Sequence, residues 1–330
     1  MRHAHLLGTG AVGRLEQRLR EHYGFAYALA VSSATAGLHA LALARDLSGH
    51  EVVTTPLTYG GTVAGVLHAG GRPMFVDVEP STLGLDPEAA AAAVGPATRA
   101  VLAADVQGVP ADDWAIRGMA DAHGLWYVHD AAQSFGATRD GRPAGSAAHA
   151  VVVSFSPGKT LWAGEGGAVL TDDRALYERL VVLTQHPYRQ KREVGLGVAD
   201  EFGLNLRMHP LAAVCADADF DASLERADGR RQAAEVVLGE LRERGLTTTE
   251  HLPSLQPTYY RLTVELAPTV TPDEVAQSMG WAAHGVPPST LQPLYQRPGL
   301  QVWDFKTRPC PIAESAAVRR CEIVEELWAG

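Results

Sequence analysis

The 330-residue sequence is poor in the features that mark several protein classes. Its three cysteines, Cys215, Cys310 and Cys321, have neither metal-type nor redox-motif spacing, which fits a reducing cytoplasm. It contains no apolar run of about 18 residues and no charged-then-apolar leader. We therefore expect a cytoplasmic protein without an export signal, a membrane span or a metal site.

Positive charge is also scarce. Lys and Arg number 28 against 38 Asp and Glu, for a formal net charge of −10. This balance argues against nucleic acid or an anionic membrane as the main partner. Apolar content of 46% and charged content of 20% are ordinary for a globular protein with a sizeable core. The length allows one large and one smaller domain, or two similar ones.

Three short apolar runs stand at the centre of the sequence. LWYVHD ends on Asp130, AVVVSFS leads through Pro157-Gly158 to Lys159, and GGAVLTD follows. Such runs predict buried strands of an open α/β sheet, in which ligands bind beyond the carboxyl ends of the strands. We predict a mostly parallel sheet, because strand and helix patterns alternate up to residue 172.

An Asp and a Lys at such strand ends are the two groups that pyridoxal phosphate (PLP) requires. A lysine amine forms the Schiff base, and a carboxylate keeps the pyridine nitrogen protonated so that the ring accepts electrons. The alternatives are that Asp130 caps a helix after its strand and that Lys159 is a solvated turn residue.

The strings HDAAQSFGA, SFSPGK and GEGGAVLTDD resemble, in order and spacing, the core of the DegT/DnrJ/StrS aminotransferases. These are PLP enzymes that mostly aminate keto-sugars. The resemblance implies that Asp130 meets the pyridine nitrogen and that Gln133 lies near the ring hydroxyl. It also implies that Ser154 binds the phosphate and that Lys159, 29 positions after Asp130, is the Schiff-base lysine.

A second possible motif lies near the start, where Gly8, Gly10 and Gly13 have the G-x-G-x-x-G spacing of dinucleotide-binding proteins. That fingerprint also requires a second strand ending in an acidic residue, whereas YALAVSS ends in serines. We therefore predict no nicotinamide or flavin site. The resemblance implies only a glycine-containing loop before the first helix.

The string VSSATAGLHALALA predicts a strand followed by a helix whose N-terminus can hold an anion. A simple Ser/Thr cap is the alternative. The resemblance implies that Ala34, where the family usually has glycine, and Thr35 bind the PLP phosphate. It also implies that Tyr59 stacks on the PLP ring, although loop aromatics commonly serve packing. The string VQGVPAD matches a further loop of the family.

Residues 185–193, QHPYRQKRE, lack apolar periodicity, which predicts a solvated loop. In the resembled family this region arches toward a neighbouring subunit and precedes a string matching GLNLRM, residues 203–208. The match implies that Asn205 reaches the PLP phosphate of the other protomer, so that a homodimer has composite sites. His186 and Arg207 are candidate contacts for substrate or for the donor carboxylate.

The character of the chain changes near residue 215. A charged helix, a strand in PTYYRLTVELAP and a helix opening with a Thr271–Glu274 capping box follow. We predict a three-layer large PLP-binding domain over 1–212 and a smaller C-terminal α/β domain over 213–330. The resemblance implies the aspartate-aminotransferase-type fold, fold type I. Substrate specificity is expected in loops near 186–200 and 284–310.

The resemblance implies an aminotransferase that moves an amino group from glutamate or glutamine to a ketone acceptor. A keto-sugar or cyclitol of a secondary-metabolite or polysaccharide pathway suits that acceptor. The alternatives are PLP-dependent elimination, replacement or dehydration, and a non-catalytic PLP-fold partner. The presence of Lys159 favours transamination over dehydration. No partner beyond these small molecules and a second copy of the chain is expected.

Overall fold

A computed structural model describes four segments of the protein, residues 4–196, 202–250, 253–281 and 291–324. Its helices are α1 (Ala11–Tyr23), α2 (Ala34–Ala44), α3 (Gly60–His68), α4 (Pro87–Ala93), α5 (Asp113–Ala122), α6 (Arg174–Thr184), α7 (Pro187–Glu193), α8 (Pro210–Glu243), α9 (Pro272–Met279) and α10 (Pro311–Arg319). Its strands are β1 (Tyr27–Val31), β2 (Glu51–Thr54), β3 (Arg72–Phe75), β4 (Thr98–Ala104), β5 (Trp126–Asp130), β6 (Thr138–Arg139), β7 (Arg142–Pro143), β8 (Ala150–Ser154), β9 (Gly167–Thr171), β10 (Leu255–Gln256), β11 (Leu262–Glu265), β12 (Lys306–Thr307) and β13 (Arg320–Ile323).

The main sheet has eight strands in the order β1-β9-β8-β5-β4-β2-β3-β12. Strands β8, β5, β4, β2, β3 and β12 pair in parallel, while β9 is antiparallel to both of its neighbours, β8 and β1. The predicted mostly parallel sheet is confirmed. The three central apolar runs form β5, β8 and β9.

Helices cover both faces of this sheet. Along β5, Trp126 and Val128 face a cluster that includes side chains of α2, α3 and α6. Tyr127, between them, faces a cluster that includes side chains of α4 and α5. Residues of α1 and α8 pack on that second face against Val151 and Val153 of β8. The strands are buried on both sides, which explains their continuous apolar sequence, and the predicted three-layer arrangement is confirmed.

The strand directions bring several chain segments to one edge of the sheet. Since β9 is antiparallel to both β1 and β8, those two strands run the same way as β5. The carboxyl ends of β1, β5 and β8 therefore open at the same edge. Asp130 ends β5, Ser154 ends β8, and α2 begins three residues after β1. The functional site is built at this edge.

The C-terminal third adds a smaller packed unit. Strands β11 and β13 pair antiparallel and share a core cluster with the second half of α8 and with α9. The Thr271–Glu274 capping box is present at the start of α9, as predicted. However, β12 pairs with β3 and so extends the large sheet. The division after residue 212 falls in the first turn of α8 and stays a prediction. No helix within the described segments is both long and apolar enough to cross a membrane.

The loop prediction for residues 185–193 is wrong. Residues 187–193 form α7, which begins at Pro187 with His186 Nδ1 accepting from the Tyr188 N–H. The helix has no apolar face, because the side chains that it buries are polar ones, Arg189 and Gln190. Arg189 is only 2% exposed. Two guanidinium nitrogens of Arg189 each donate to a carboxylate oxygen of Glu16 in α1, at 2.9 Å.

The glycine motif near the start also has a structural role here. Gly8 has φ of +64°, and a Cβ atom at this position would lie 2.4 Å from Cζ of Arg189. Gly10, with φ of +69°, precedes the first residue of α1. The loop therefore shapes the entry to α1 and leaves room for the buried arginine. The loop precedes the first helix, as the resemblance implies, and Gly8 has the additional role of making room for Arg189.

Candidate active site

A cavity of about 540 Å³ opens at the carboxyl edge of the sheet. Its lining includes seven of the residues that the sequence analysis singled out: Ala34, Thr35, Tyr59, Asp130, Gln133, Ser154 and Lys159. They come from four separate stretches of the chain. Volumes of this order are typical of sites for small organic ligands.

Asp130 is buried at the end of β5. Its Oδ2 accepts from the Thr62 hydroxyl at 2.7 Å, and its Oδ1 accepts from the Ala132 N–H at 3.0 Å. Burial raises the pKa of this carboxyl, and the Thr62 hydroxyl, the Ala132 N–H and Lys159 offset only part of that effect. Residues 131–137 form turns, so Asp130 does not cap a following helix. A buried carboxylate of this kind suits a cationic partner in the cavity.

Lys159 follows β8 in a turn closed by its own N–H, which donates to the Ser156 carbonyl at 3.2 Å. The side chain is half-buried and lines the cavity, so the alternative of a fully solvated lysine does not hold. Its Nζ lies 4.1 Å from the ring centroid of Tyr260, within the range of a cation–π contact. The sequence analysis did not anticipate this aromatic neighbour.

One part of the lining is rich in groups that bind anions. Helix α2 starts there, and the Ser33 hydroxyl accepts from the Ala36 N–H at 3.1 Å. Ser33 therefore caps α2, as in the alternative of a simple Ser/Thr cap, and Ala34 and Thr35 lie in the first turn of the helix. Across the cavity edge, the hydroxyls of Ser154 and Ser156 lie 3.1 Å apart. A helix N-terminus with adjacent hydroxyl groups is suited to a phosphate.

Two further predicted residues occupy other parts of the lining. Gln133 Oε1 accepts from the backbone N–H of Gln107 at 2.9 Å, which fixes the side-chain amide. Tyr59 precedes α3 and is 71% exposed, with its ring at the cavity. An exposed ring at the mouth of a cavity is free to stack on a flat ligand.

The remaining predicted residues are not among the described residues that line the cavity. Asn205 is exposed and has φ of +55°. The neighbouring Leu206 carbonyl accepts from the Ser32 N–H, and the backbone of Arg207 forms an isolated antiparallel β-bridge with Val31. This segment therefore runs along the end of β1. His186 caps α7 instead of facing the cavity.

Sequence reasoning missed several lining residues: Thr62, Glu165, Tyr260, Arg261, Gln292 and Arg297. Glu165 lies in the string GEGGAVLTDD, but the resemblance gives it no role, and the rest belong to no motif. Thr62 lies inside an apolar helical stretch, and the others come from the C-terminal third or from a loop. Of these residues, only Thr62 could have been found by a search for polar residues inside apolar helices.

The donor set of the cavity fits the cofactor that the resemblance implies. The buried Asp130 carboxylate suits a protonated ring nitrogen, and the start of α2 with Ser154 suits a phosphate dianion. The Lys159 amine stands in the same cavity. These are the three contacts that PLP requires of a protein.

Comparison with known proteins gives one consistent result. The family model described as "DegT/DnrJ/EryC1/StrS aminotransferase family" matches residues 4–323. The chain is 38% identical over 176 residues to the spore coat polysaccharide biosynthesis protein SpsC of Bacillus subtilis, a match covering 53% of this chain and 45% of SpsC.

Two other relatives extend this picture. The chain is 33% identical over 201 residues to UDP-2-acetamido-2-deoxy-3-oxo-D-glucuronate aminotransferase of Pseudomonas aeruginosa, covering 60% of this chain and 56% of that protein. The solved structure of DesI in the presence of its TDP-sugar product superimposes with a TM-score of 0.77 and 31% identity, covering 95% of this chain and 79% of that one. The chain thus spans about half the length of the two sequence relatives.

Proposed function

Because this chain belongs to the DegT/DnrJ/EryC1/StrS aminotransferase family, we propose that it is a PLP-dependent aminotransferase. It moves an amino group from glutamate or glutamine to a ketone on a sugar, most simply a sugar carried on a nucleotide. Two of the named relatives, the UDP-2-acetamido-2-deoxy-3-oxo-D-glucuronate aminotransferase and DesI with its TDP-sugar product, are named for nucleotide-linked sugars, which supports this acceptor. The presence of Lys159, Asp130 and the start of α2 in one cavity carries the proposal.

Pyridoxal phosphate is the cofactor of this family, and when bound it supplies an electron sink for the carbon that loses its proton. A carboxylate oxygen of Asp130 would accept a hydrogen bond from the protonated ring nitrogen and so keep the proton there. Burial raises the pKa of the Asp130 carboxyl, and a cationic ring nitrogen beside it would favour the ionised form again. The backbone N–H groups that begin α2, with the Thr35 and Ser154 hydroxyls, bind the phosphate.

Lys159 has two tasks in this mechanism. Its Nζ would be the group that holds the cofactor covalently when no substrate is bound. With a donor bound, the free Lys159 amine would hold and move the proton of the donor α-carbon, as a general base and then a general acid. Tyr59, at the mouth of the cavity, stacks on the ring, and Gln133 orients the ring hydroxyl.

The enzyme works as a homodimer in which Asn205 serves the phosphate of the partner's cofactor. Asn205 is exposed and lies outside the cavity lining described for its own chain. The surrounding segment exposes an unusual amount of apolar surface, with Phe202 92% exposed and Leu211 and Val214 also exposed. Apolar surface of this kind is common where a second subunit packs.

A labelled-nitrogen experiment tests the proposed function. The PLP-loaded protein is mixed with heavy-nitrogen glutamate or glutamine, and pyridoxamine phosphate is quantified by chromatography. Addition of a nucleotide-linked keto-sugar should then move the label to the sugar, as seen by mass spectrometry. The Lys159→Ala variant is the control and should transfer no label.

Two outcomes of that experiment contradict the proposal. Loss of oxygen from the sugar without gain of label would assign dehydration, the alternative that the core motifs share. Failure of both donors to form pyridoxamine phosphate, in protein that carries PLP, would favour a non-catalytic role.

A further inference from the structure

The cavity contains two cations that neither the sequence analysis nor the proposed mechanism uses. Arg261 and Arg297 both line it, together with Lys159. The candidates for a carboxylate contact in the sequence, His186 and Arg207, are absent from the described lining. The cavity therefore has its own guanidinium groups at a place where a substrate must bind.

Arg261 stands close to the reactive amine. Its Cζ lies 5.9 Å from the ring centroid of Tyr260, and Lys159 Nζ lies 4.1 Å from the same centroid. The guanidinium and the amine are thus no farther apart than those two distances together, about 10 Å. One small substrate molecule can touch both groups.

The backbone around Arg261 is fixed by contacts with another loop. Its N–H donates to the Gln107 carbonyl at 3.4 Å, and the Thr258 N–H donates to the Gly108 carbonyl at 3.0 Å. Gly108 has φ of +83°, and a Cβ there would lie 2.6 Å from the backbone nitrogen of Tyr260. This close approach positions Tyr260 and Arg261 at the cavity.

The guanidinium of Arg261 keeps donors for a ligand. One nitrogen donates to Glu322 Oε1 at 2.5 Å, which leaves most of its five N–H donors available. Burial lowers the pKa of Arg261, but the contact with Glu322 outweighs it, so the pKa is raised above its ordinary value and the group stays charged.

Arg297 is the less satisfied of the two arginines. One of its Nη atoms donates weakly to the Gln292 carbonyl, at 3.5 Å, while its Nε is buried without a hydrogen-bond partner in the described part of the chain. A buried guanidinium nitrogen without an acceptor is costly, and a bound anion would relieve that cost once the side chain turns toward it.

The negative groups of the cavity do not cancel these cations. Asp130 is engaged by Thr62 and the Ala132 N–H, and Asp105 accepts from the Ser134 hydroxyl and the Ala111 N–H. Glu165 is exposed to solvent. All three carboxylates line the cavity, and none has a hydrogen bond or ion pair with Arg261 or Arg297 within the segments that the structure describes.

We propose that Arg261 and Arg297 form a carboxylate subsite, so that the proposed enzyme takes a substrate bearing a carboxylate within reach of Lys159. The planar guanidinium matches a carboxylate in bidentate geometry. The carboxylate belongs either to the amino donor or to an acidic sugar acceptor. The inference rests on the proposed function for its substrates, but the subsite itself is testable without turnover.

Glutarate is a suitable probe, because it carries two carboxylates and no amine to react. Its dissociation constant for the PLP-loaded protein is measured by calorimetry for the wild type, Arg261→Gln and Arg297→Gln. Each change should weaken glutarate binding about 10- to 150-fold, the effect of losing a hydrogen bond to a charged group. Arg308→Gln, an exposed arginine outside the lining, is the matched control and should bind as the wild type does.

A second pair of variants separates charge loss from disturbed packing. Glu322→Gln removes the partner of Arg261 and should leave glutarate binding within about threefold of the wild type. Arg297→Lys keeps the charge but loses the planar fork, so its effect should be intermediate. Unchanged glutarate affinity in both Arg→Gln variants, with thermal melts like the wild type, would overturn the subsite.

The two half-reactions assign the carboxylate to its source. If it belongs to the donor, Arg261→Gln raises the apparent KM for glutamate and leaves the acceptor half-reaction unchanged. If it belongs to the acceptor, the variant discriminates against a keto-uronate but not against the matching neutral keto-sugar. Loss of amino transfer with intact glutarate binding would overturn the proposed function while the subsite stands.

Discussion

The hydroxyl of Thr62 donates to Oδ2 of Asp130 at 2.7 Å, and the same hydroxyl lies 2.7 Å from that of Thr58. The contact links α3 to the end of β5 and stabilises the ionised form of a buried carboxyl. It gives Asp130 a fixed orientation toward the cavity. Thr62 is thus a positioning residue for the group that holds the ring nitrogen.

Replacing Thr62 tests that role. Thr62→Val removes the donor, so the pKa of Asp130 should rise further and the donor half-reaction should slow about tenfold or more. Thr62→Ser keeps the hydroxyl and should stay within about threefold of the wild type. Single-turnover rates with glutamate across a pH series measure both variants. Equal rates for the valine and serine variants would show that the hydrogen bond has no catalytic effect.

A second prediction concerns pH and the cofactor-free protein. The folded-state pKa of Asp130 lies above its ordinary value of 3.8, mainly because of burial. Between the unfolded and folded pKa values the folded protein binds more protons, so the contribution of Asp130 to the free energy of unfolding falls as pH rises. Asp130→Asn should therefore gain stability relative to the wild type as the pH rises above 3.8, as thermal melts across a pH series will show.

The same variant gives the opposite result once PLP is added. The wild type should gain more thermal stability from PLP than Asp130→Asn does, because only the carboxylate pairs with a protonated ring nitrogen. The donor half-reaction of Asp130→Asn should also be much slower than that of the wild type. A cofactor-free stability difference that does not change with pH would mean that Asp130 is ionised at no cost.

Local sequence signals were sufficient for much of the fold and for the centre of the site. Asp130, Ser154 and Lys159 lie at or just after the ends of apolar strands, and parallel strands bring such ends to one edge. Thr62, Arg261 and Arg297 could not be predicted in this way. Their place in the cavity depends on how α3 and the C-terminal segments pack, which no local pattern encodes.

Segment 187–193 shows the limit of periodicity as a signal. A helix is usually detected by its apolar face, whereas α7 buries an arginine whose partner, Glu16, is 173 positions away. The sequence pattern alone therefore indicated a solvated loop. The sequence does contain start signals for this helix, the cap residue His186 and Pro187 at the first helical position.

The Arg189–Glu16 pair provides a stability prediction. Arg189→Met leaves the carboxylate of Glu16 buried without its partner and should reduce the free energy of unfolding by about 3–5 kcal/mol. Combining it with Glu16→Gln should recover a large part of that loss. Arg174→Met, which breaks an exposed pair with Glu178, is the matched control and should cause a much smaller loss. Chemical denaturation measures all four proteins, and equal losses for the two arginine variants would contradict the prediction.

The last prediction tests whether the sites are shared between subunits. Asn205→Asp would place a carboxylate against the partner's PLP phosphate and should abolish activity, because like charges in contact are strongly unfavourable away from water. Lys159→Ala disables a different step in its own cavity. Remixing the two inactive proteins gives about half mixed dimers, each with one intact site of two, so about a quarter of wild-type activity should return. If activity stays absent although mass spectrometry confirms subunit exchange, Asn205 acts within its own chain and the composite site is wrong.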